Sequence, residues 1–301
     1  MEDYIEHFVR YLYEEAKDQK TITSYRTTAS HFLKWKEERD GDYIIEETRP
    51  IDIKEYTSYL KHQCKRKPAT INKYIAGLKV FFAYLITEGM IKDNPMTRIK
   101  IEKLEYAGSP NQTKWLTKEE QDRFISYVDL ERNEFQRLRN LAIIDLMLYT
   151  GLRVNEVTSL EIMDVQTKER DIKVIVREGK GNKYATVLLV QKHARNLRKW
   201  LKYRKHLVKP IHLESSRLFV SERSPFLSER AIQKMLTKYA RLANMENITP
   251  HRFRHSFCKN LANAGTPIEI IRRLARHESI QTTAIYVDSS QEEQLEALRR
   301  L

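Results

Sequence analysis

Arginine and histidine side chains hold and protonate phosphate oxygens, and a tyrosine can attack phosphorus and carry a covalent intermediate. The stretch 249–289, TPHRFRHSFCKNLANAGTPIEIIRRLARHESIQTTAIYVDS, concentrates these residue types. His251 and Arg254 stand three apart behind the Thr249-Pro250 cap, which puts them on one face near a helix N-terminus. The free N–H groups and positive pole of that end suit a phosphate. His255, one step round from Arg254, is read as packing or support. His277 follows a short amphipathic helix, and the segment 279–283 caps the helix that carries Tyr286.

Two further groups lie upstream. In Thr150-Gly151-Leu152-Arg153-Val154-Asn155-Glu156, Arg153 directly follows a helix break, where the next helix leaves its first N–H groups unpaired. Glu156, three residues on, is placed to brace Arg153 or to satisfy the helix start. Lys180 sits between Gly179 and Gly181 at the tip of two β-branched runs. The glycines allow close approach to another surface, so this lysine is either a solvated hairpin tip or one that enters a DNA groove. The pattern is not a Walker loop, because no helix follows and the remaining positions do not match.

Singly, each residue also has a plain structural reading. Arg153–Glu156 could be a surface pair worth at most about 1 kcal/mol, and Tyr286 is one of 16 tyrosines. The order Arg, Lys, His-x-x-Arg, His, Tyr is the distinguishing feature: it gathers five polar groups around one nucleophile.

Composition sets the partner class. The chain has 301 residues, a net charge of +13 and few turn-makers, with eight glycines and eight prolines. A polyanion is therefore the leading partner, nucleic acid ahead of an anionic membrane surface, and the chain should be mostly helical. No apolar run approaches the roughly 18 residues of a membrane span. The acidic, amphipathic N-terminus is unlike a signal peptide. Cys64 and Cys258, in no ligand spacing, fit free thiols in a reducing cytoplasm.

The elements that must position the chemistry follow from periodicity. Helices are expected at 3–17, 21–38 (capped by Thr21), 53–63 and 69–89, forming a helical domain over 1–96. Charge within this part is uneven: residues 1–48 hold 7 Lys/Arg and 12 Asp/Glu, whereas 49–105 hold 12 and 6. Lys61, Lys65, Arg66, Lys67 and Lys73 thus form either a solvated face or a phosphate-contacting one. Residues 97–116 read as a linker, and Thr117 with Glu120 as a capping box opening a second domain over 117–301. There, helices are expected at 117–130, 134–149, 154–160, 191–206, 228–244, 251–264, 267–276, 280–287 and 290–300. A hairpin or small sheet is expected over 171–189, with one further strand at Leu218-Phe219-Val220. The fold class is mainly α with a small antiparallel β-sheet.

The catalytic half resembles the tyrosine site-specific recombinases, the integrase or Xer-like group. TGLRVNEV is similar to the family's first arginine box, REGKGNKYATV to its β-hairpin lysine, PHRFRHSF to its H-x-x-R box and ARHESIQTTAIY to its histidine-to-tyrosine segment. Two departures are visible: Ala275-Arg276 precede His277 where Leu-Gly is usual, and Phe253 stands where Leu is common. Neither removes a chemical group.

The resemblance implies a helical, SAM-like core-binding domain and an α+β catalytic domain that clamp duplex DNA between them. It implies that Tyr286 attacks a scissile phosphate to give a 3′-phosphotyrosyl link. Arg153 and Arg254 would clamp the non-bridging oxygens and Lys180 would protonate the leaving 5′-oxygen. His251 would act in proton transfer at the tyrosine, His277 would hydrogen-bond the phosphate, and Glu156 would give support. No cofactor, metal or ATP is implied. The partners implied are a double-stranded DNA recombination site and three further copies on two such sites, or a second recombinase in a heterotetramer. Accessory DNA-bending proteins are a further implied partner, and the setting is the bacterial cytoplasm, at the nucleoid when DNA is bound. The segment 291–298 is read as a short amphipathic helix that docks on a neighbouring subunit or on its own domain. Two other readings share the charge and helices: a DNA-binding protein that cuts nothing, and a type IB topoisomerase-like enzyme.

Overall fold

Apolar residues at helical spacing build the first part of the chain. Ile5, Phe8 and Leu12 line the buried side of α1 (Glu2–Glu14) and Phe32 and Leu33 that of α2 (Gln19–Asp40). Tyr56 does so for α3 (Pro50–His62), and Phe81 and Phe82 for α4 (Pro68–Thr87). The rings interlock edge to face, with centroids 5.0 Å apart for Phe8–Phe81 and 5.1 Å for Phe32–Tyr56. These coordinates are a computed structural model describing residues 2–41, 43–101, 115–178 and 183–287. They divide into two units, Met1–Ser109 and Pro110–Leu301, each with its own core.

Two helix starts in the first unit lie earlier than periodicity places them. Asp18, not Thr21, caps α2: its carboxylate accepts the Thr21 N–H at 3.0 Å and the Thr21 hydroxyl at 2.7 Å. α3 starts at Pro50, whose fixed φ suits the first helical position, and Asp52 accepts the Arg49 N–H at 2.8 Å. Lys61, Lys65, Arg66, Lys67 and Lys73 are all exposed, at the end of α3, in its connection to α4, and on the first turns of α4.

In the second unit, Thr117 and Glu120 form the expected reciprocal cap of α5 (Lys118–Asp129). α6 (Glu134–Thr150) buries 13 of its 17 residues and is the axis on which the rest packs. After α7 (Val154–Ser159) come three strands in the order β1 (Val165–Gln166), β2 (Ile172–Glu178), β3 (Lys183–Leu189), all antiparallel. Ile172, Val174 and Val176 alternate inward and join the core cluster that holds α6. Val174 pairs with Val187 and Glu178 with Lys183, so residues 179–182 make the connection. Lys180 lies there, outside the described residues.

Helices α8 (Arg195–Lys205), α9 (Pro210–Leu213), α10 (Glu229–Leu242), α11 (Pro250–Asn263), α12 (Ile268–Ala275) and α13 (Gln281–Ala284) follow among the described residues. The strand expected at Leu218-Phe219-Val220 is not formed. These residues are fully buried, and the Leu218 backbone is tied to Leu160 O and to Trp200 Nε1, each at 2.9 Å. Burial without a strand partner explains why an apolar run misled the pattern. The helix expected at 290–300 lies outside the described residues. Among the described residues, no helix is long and apolar enough to cross a membrane.

The crossing of α2 and α4 depends on Gly77. A Cβ added there would lie 2.9 Å from Thr28 Cβ, which is fixed on the opposite helix. We expect Gly77→Ala to cost about 1–3 kcal/mol as overpacking, read by hydrogen exchange as faster opening of α2 and α4. Unchanged exchange there would show that the crossing relaxes freely.

Candidate active site

α6 ends at Gly151, whose φ of +65 is left-handed. A Cβ there would also meet the Phe257 ring at 2.5 Å, so backbone shape and space both require glycine. The turn delivers Arg153 to the N-cap of α7. Arg254 comes from α11, which Thr249 and Pro250 start as the sequence suggests.

The two guanidinium groups meet at peptide carbonyls. Arg254 Nη1 donates to Gly151 O at 2.5 Å and its Nη2 donates to Ala275 O. Arg153 Nη2 donates to Arg276 O at 3.3 Å. These acceptors are the C-terminal ends of α6 and α12, the negative poles of both helices. Burial, and then the neighbouring Arg153, lower the Arg254 pKa to about 10, so it stays charged at neutral pH.

Glu156 braces this arrangement as expected, and a second arginine joins it. Its carboxylate accepts the Arg153 N–H at 2.7 Å and Arg153 Nη1 at 3.0 Å. It also accepts Arg276 Nη1 at 3.2 Å and Nη2 at 2.8 Å. Burial pushes the Glu156 pKa up, but Arg276 and Arg153 outweigh it and hold the carboxyl below its usual range. Arg276 is the C-cap of α12 with φ +56, a left-handed position that costs a non-glycine residue about 1 kcal/mol.

His277 follows Arg276 and is buried, with Nδ1 at 2.9 Å from Thr283 Oγ1. Nε2 is therefore the ring nitrogen left to meet a ligand. Burial, then Arg254 and Arg153, depress its pKa to about 4, so the imidazole is neutral at pH 7. Tyr286 is 1% exposed. Its ring stacks beside His277 at 6.4 Å and meets Trp115 edge-on at 6.5 Å. The phenol hydroxyl is paired with His255 Nδ1, and Lys259 Nζ donates to the Tyr286 carbonyl at 3.1 Å. Burial, and secondarily the nearby Cys258, raise the phenol pKa well above its ordinary value against the pull of Arg254. The hydroxyl is thus protonated and withdrawn from solvent.

Of the residues singled out in the sequence, Arg153, Glu156, Arg254, His277 and Tyr286 are brought together. His251 is exposed on the first turn of α11, and Lys180 lies outside the described residues. His255, read as packing or support, is the partner of the phenol hydroxyl. Arg276 was visible only as a departure from pattern. A basic face on α10 was also missed: Arg230, Lys234, Lys238 and Arg241 recur at helical spacing and are all exposed. Lys238 is paired with Glu131.

The chain matches two family models: the phage integrase family over residues 114–293, and the phage integrase N-terminal SAM-like domain over 5–89. It is 32% identical to the TnP I resolvase of Bacillus thuringiensis, covering 96% of both chains. It is 28% identical to tyrosine recombinase XerC of Leptospira interrogans, over 97% of this chain and 91% of that one. Among solved structures it resembles the XerH site-specific recombinase bound to palindromic difH substrate, with a TM-score of 0.75 and 21% identity over 98% and 94% of the two chains. It likewise resembles the Tn1549 transposon integrase in complex with a circular intermediate DNA, with a TM-score of 0.75 and 19% identity over 99% and 98%. The two matched models, in the order helical domain then site-bearing domain, place this chain in the phage integrase family: it is a tyrosine recombinase, an enzyme that breaks and rejoins DNA.

Proposed function

We propose that the chain is a site-specific recombinase that cuts duplex DNA through a 3′-phosphotyrosyl intermediate, with Tyr286 as nucleophile. The observation that carries this reading is the convergence of Arg153, Arg254 and His277 at the C-terminal end of α12, with the Tyr286 ring against His277. Tyr286 oxygen bonds to phosphorus as the bond to the 5′-oxygen breaks, and Lys180 gives that oxygen a proton. The 5′-hydroxyl of a partner strand then attacks the phosphotyrosyl phosphorus and expels the phenol. The bond broken is replaced by an equivalent one, so no energy source is required.

Arg153 and Arg254 stabilise the charge that builds on the non-bridging oxygens. Thr283 donates to His277 Nδ1, which leaves Nε2–H to donate to the phosphate. Attack requires the phenol to leave His255, and His251, on the first turn of α11, accepts its proton. The exposed lysines around 61–73 and the basic face of α10 contact the DNA backbone, with residues 97–116 as the linker between domains.

The enzyme works as a tetramer on two sites, alone or with a second recombinase. A groove of about 830 Å3 between β3, α6, α11 and α12 supports this. It is apolar at Leu148, Val187, Phe257 and Leu261, with Lys118 and Arg273 among its lining residues. Residues 291–298, QEEQLEAL, carry both kinds of complement to it, Leu295, Ala297 and Leu298 for its apolar lining and Glu292, Glu293 and Glu296 for its basic residues. They occupy this groove on a neighbouring copy.

A nicked suicide substrate carrying the enzyme's site traps the intermediate. Wild type should give a covalent DNA adduct and Tyr286→Phe none; an adduct that survives the substitution would sink the assignment. Exchange of strands between two sites separates a recombinase from a topoisomerase-like enzyme. Deleting 290–301 should abolish tetramer assembly on DNA, and normal assembly and cleavage by the truncated chain would remove the groove's assigned role. His277 offers a pH test. Its pKa falls from 6.5 unfolded to about 4 folded, so its contribution to stability is full above 6.5 and lost as pH drops from 6.5 to 4. NMR should find its imidazole neutral at about pH 5.5 in the free protein, and protonation there would refute the neutral-donor role.

A further inference from the structure

Arg276 occupies a left-handed position that glycine fills more readily, and its side chain is only 11% exposed. Both of its terminal nitrogens are spent on Glu156, while its own carbonyl accepts from Arg153. Glu156 thereby receives four hydrogen bonds, two from each arginine. A carboxylate carries about four acceptor positions, so this one is saturated.

Charge bookkeeping gives the arrangement a purpose. A phosphodiester carries one negative charge, and its pentacoordinate transition state carries two. Arg153 and Arg254 supply two positive charges, but Glu156 alone would cancel one of them. Arg276 neutralises Glu156 and restores the balance. We infer that Arg276 is a positioning residue: it offsets the charge of the ionised Glu156, so that Arg153 is fixed in place with its own charge left for the transition state. This rests on the phosphotyrosyl reading above. The extra charge matters more in the transition state than on DNA binding, so its loss should appear in the cleavage rate.

The test uses the full chain on the nicked suicide substrate. Arg276→Gly suits the backbone, since glycine is at home at this φ. Its rate of adduct formation should fall about 10–100-fold, with DNA affinity changed by less than about threefold and the chain still folded at the assay temperature. Arg276→Lys, which keeps charge without the fork, should fall between Arg276→Gly and wild type. The double variant Arg276→Gly, Glu156→Gln should recover about tenfold or more of the loss, because no carboxylate remains to be neutralised. A wild-type rate in Arg276→Gly would overturn the inference. So would a double variant no faster than Arg276→Gly, or a rate loss that merely follows lost affinity or a lost fold. If wild type itself forms no Tyr286-dependent adduct, the recombinase reading fails first and this one with it.

Discussion

The second unit is organised around two guanidinium groups held by peptide carbonyls, Arg254 buried and Arg153 half-exposed beside it. Burying such cations is expensive unless their donors are met. Here they are met by Gly151 O, Ala275 O and Arg276 O, each released from helical pairing because its helix stops there. That dictates the surrounding sequence. α6 has to end at a residue that tolerates both a positive φ and the Phe257 ring in contact, and α12 has to end beside it. The termini of two helices, the first turns of α7 and the middle of α11 are fixed relative to one another by these bonds.

Around that centre the ionisable groups are set apart by environment. Arg254 keeps its charge although buried, His277 is kept neutral, and the Tyr286 phenol is kept protonated. The same burial that makes a cation costly makes it effective, because attraction between unlike charges grows where water is absent. A cationic site for negative charge therefore lies beside a phenol, the proposed nucleophile, that is not yet ionised.

Much of this was legible in the sequence. Gly151 marked the end of α6, Thr117 and Glu120 the start of α5, and the β-branched runs the two longer strands, because each signal is local. Arg153 with Glu156 could be read from a spacing of three. What escaped reading depends on contacts between distant segments. His255 and Tyr286 are 31 residues apart, and Arg276 reaches Glu156 across 120. Leu218-Phe219-Val220 shows the converse error: an apolar run signals burial, and only a partner makes a strand of it.

The buried phenol bears on how the proposed cleavage would be held in check. With its hydroxyl on His255 and its ring against Trp115, the phenol must change partners before it could attack phosphorus as proposed. On the phosphotyrosyl reading, contact with a phosphate alone would then not be enough for cleavage; the phenol would first have to leave its pocket.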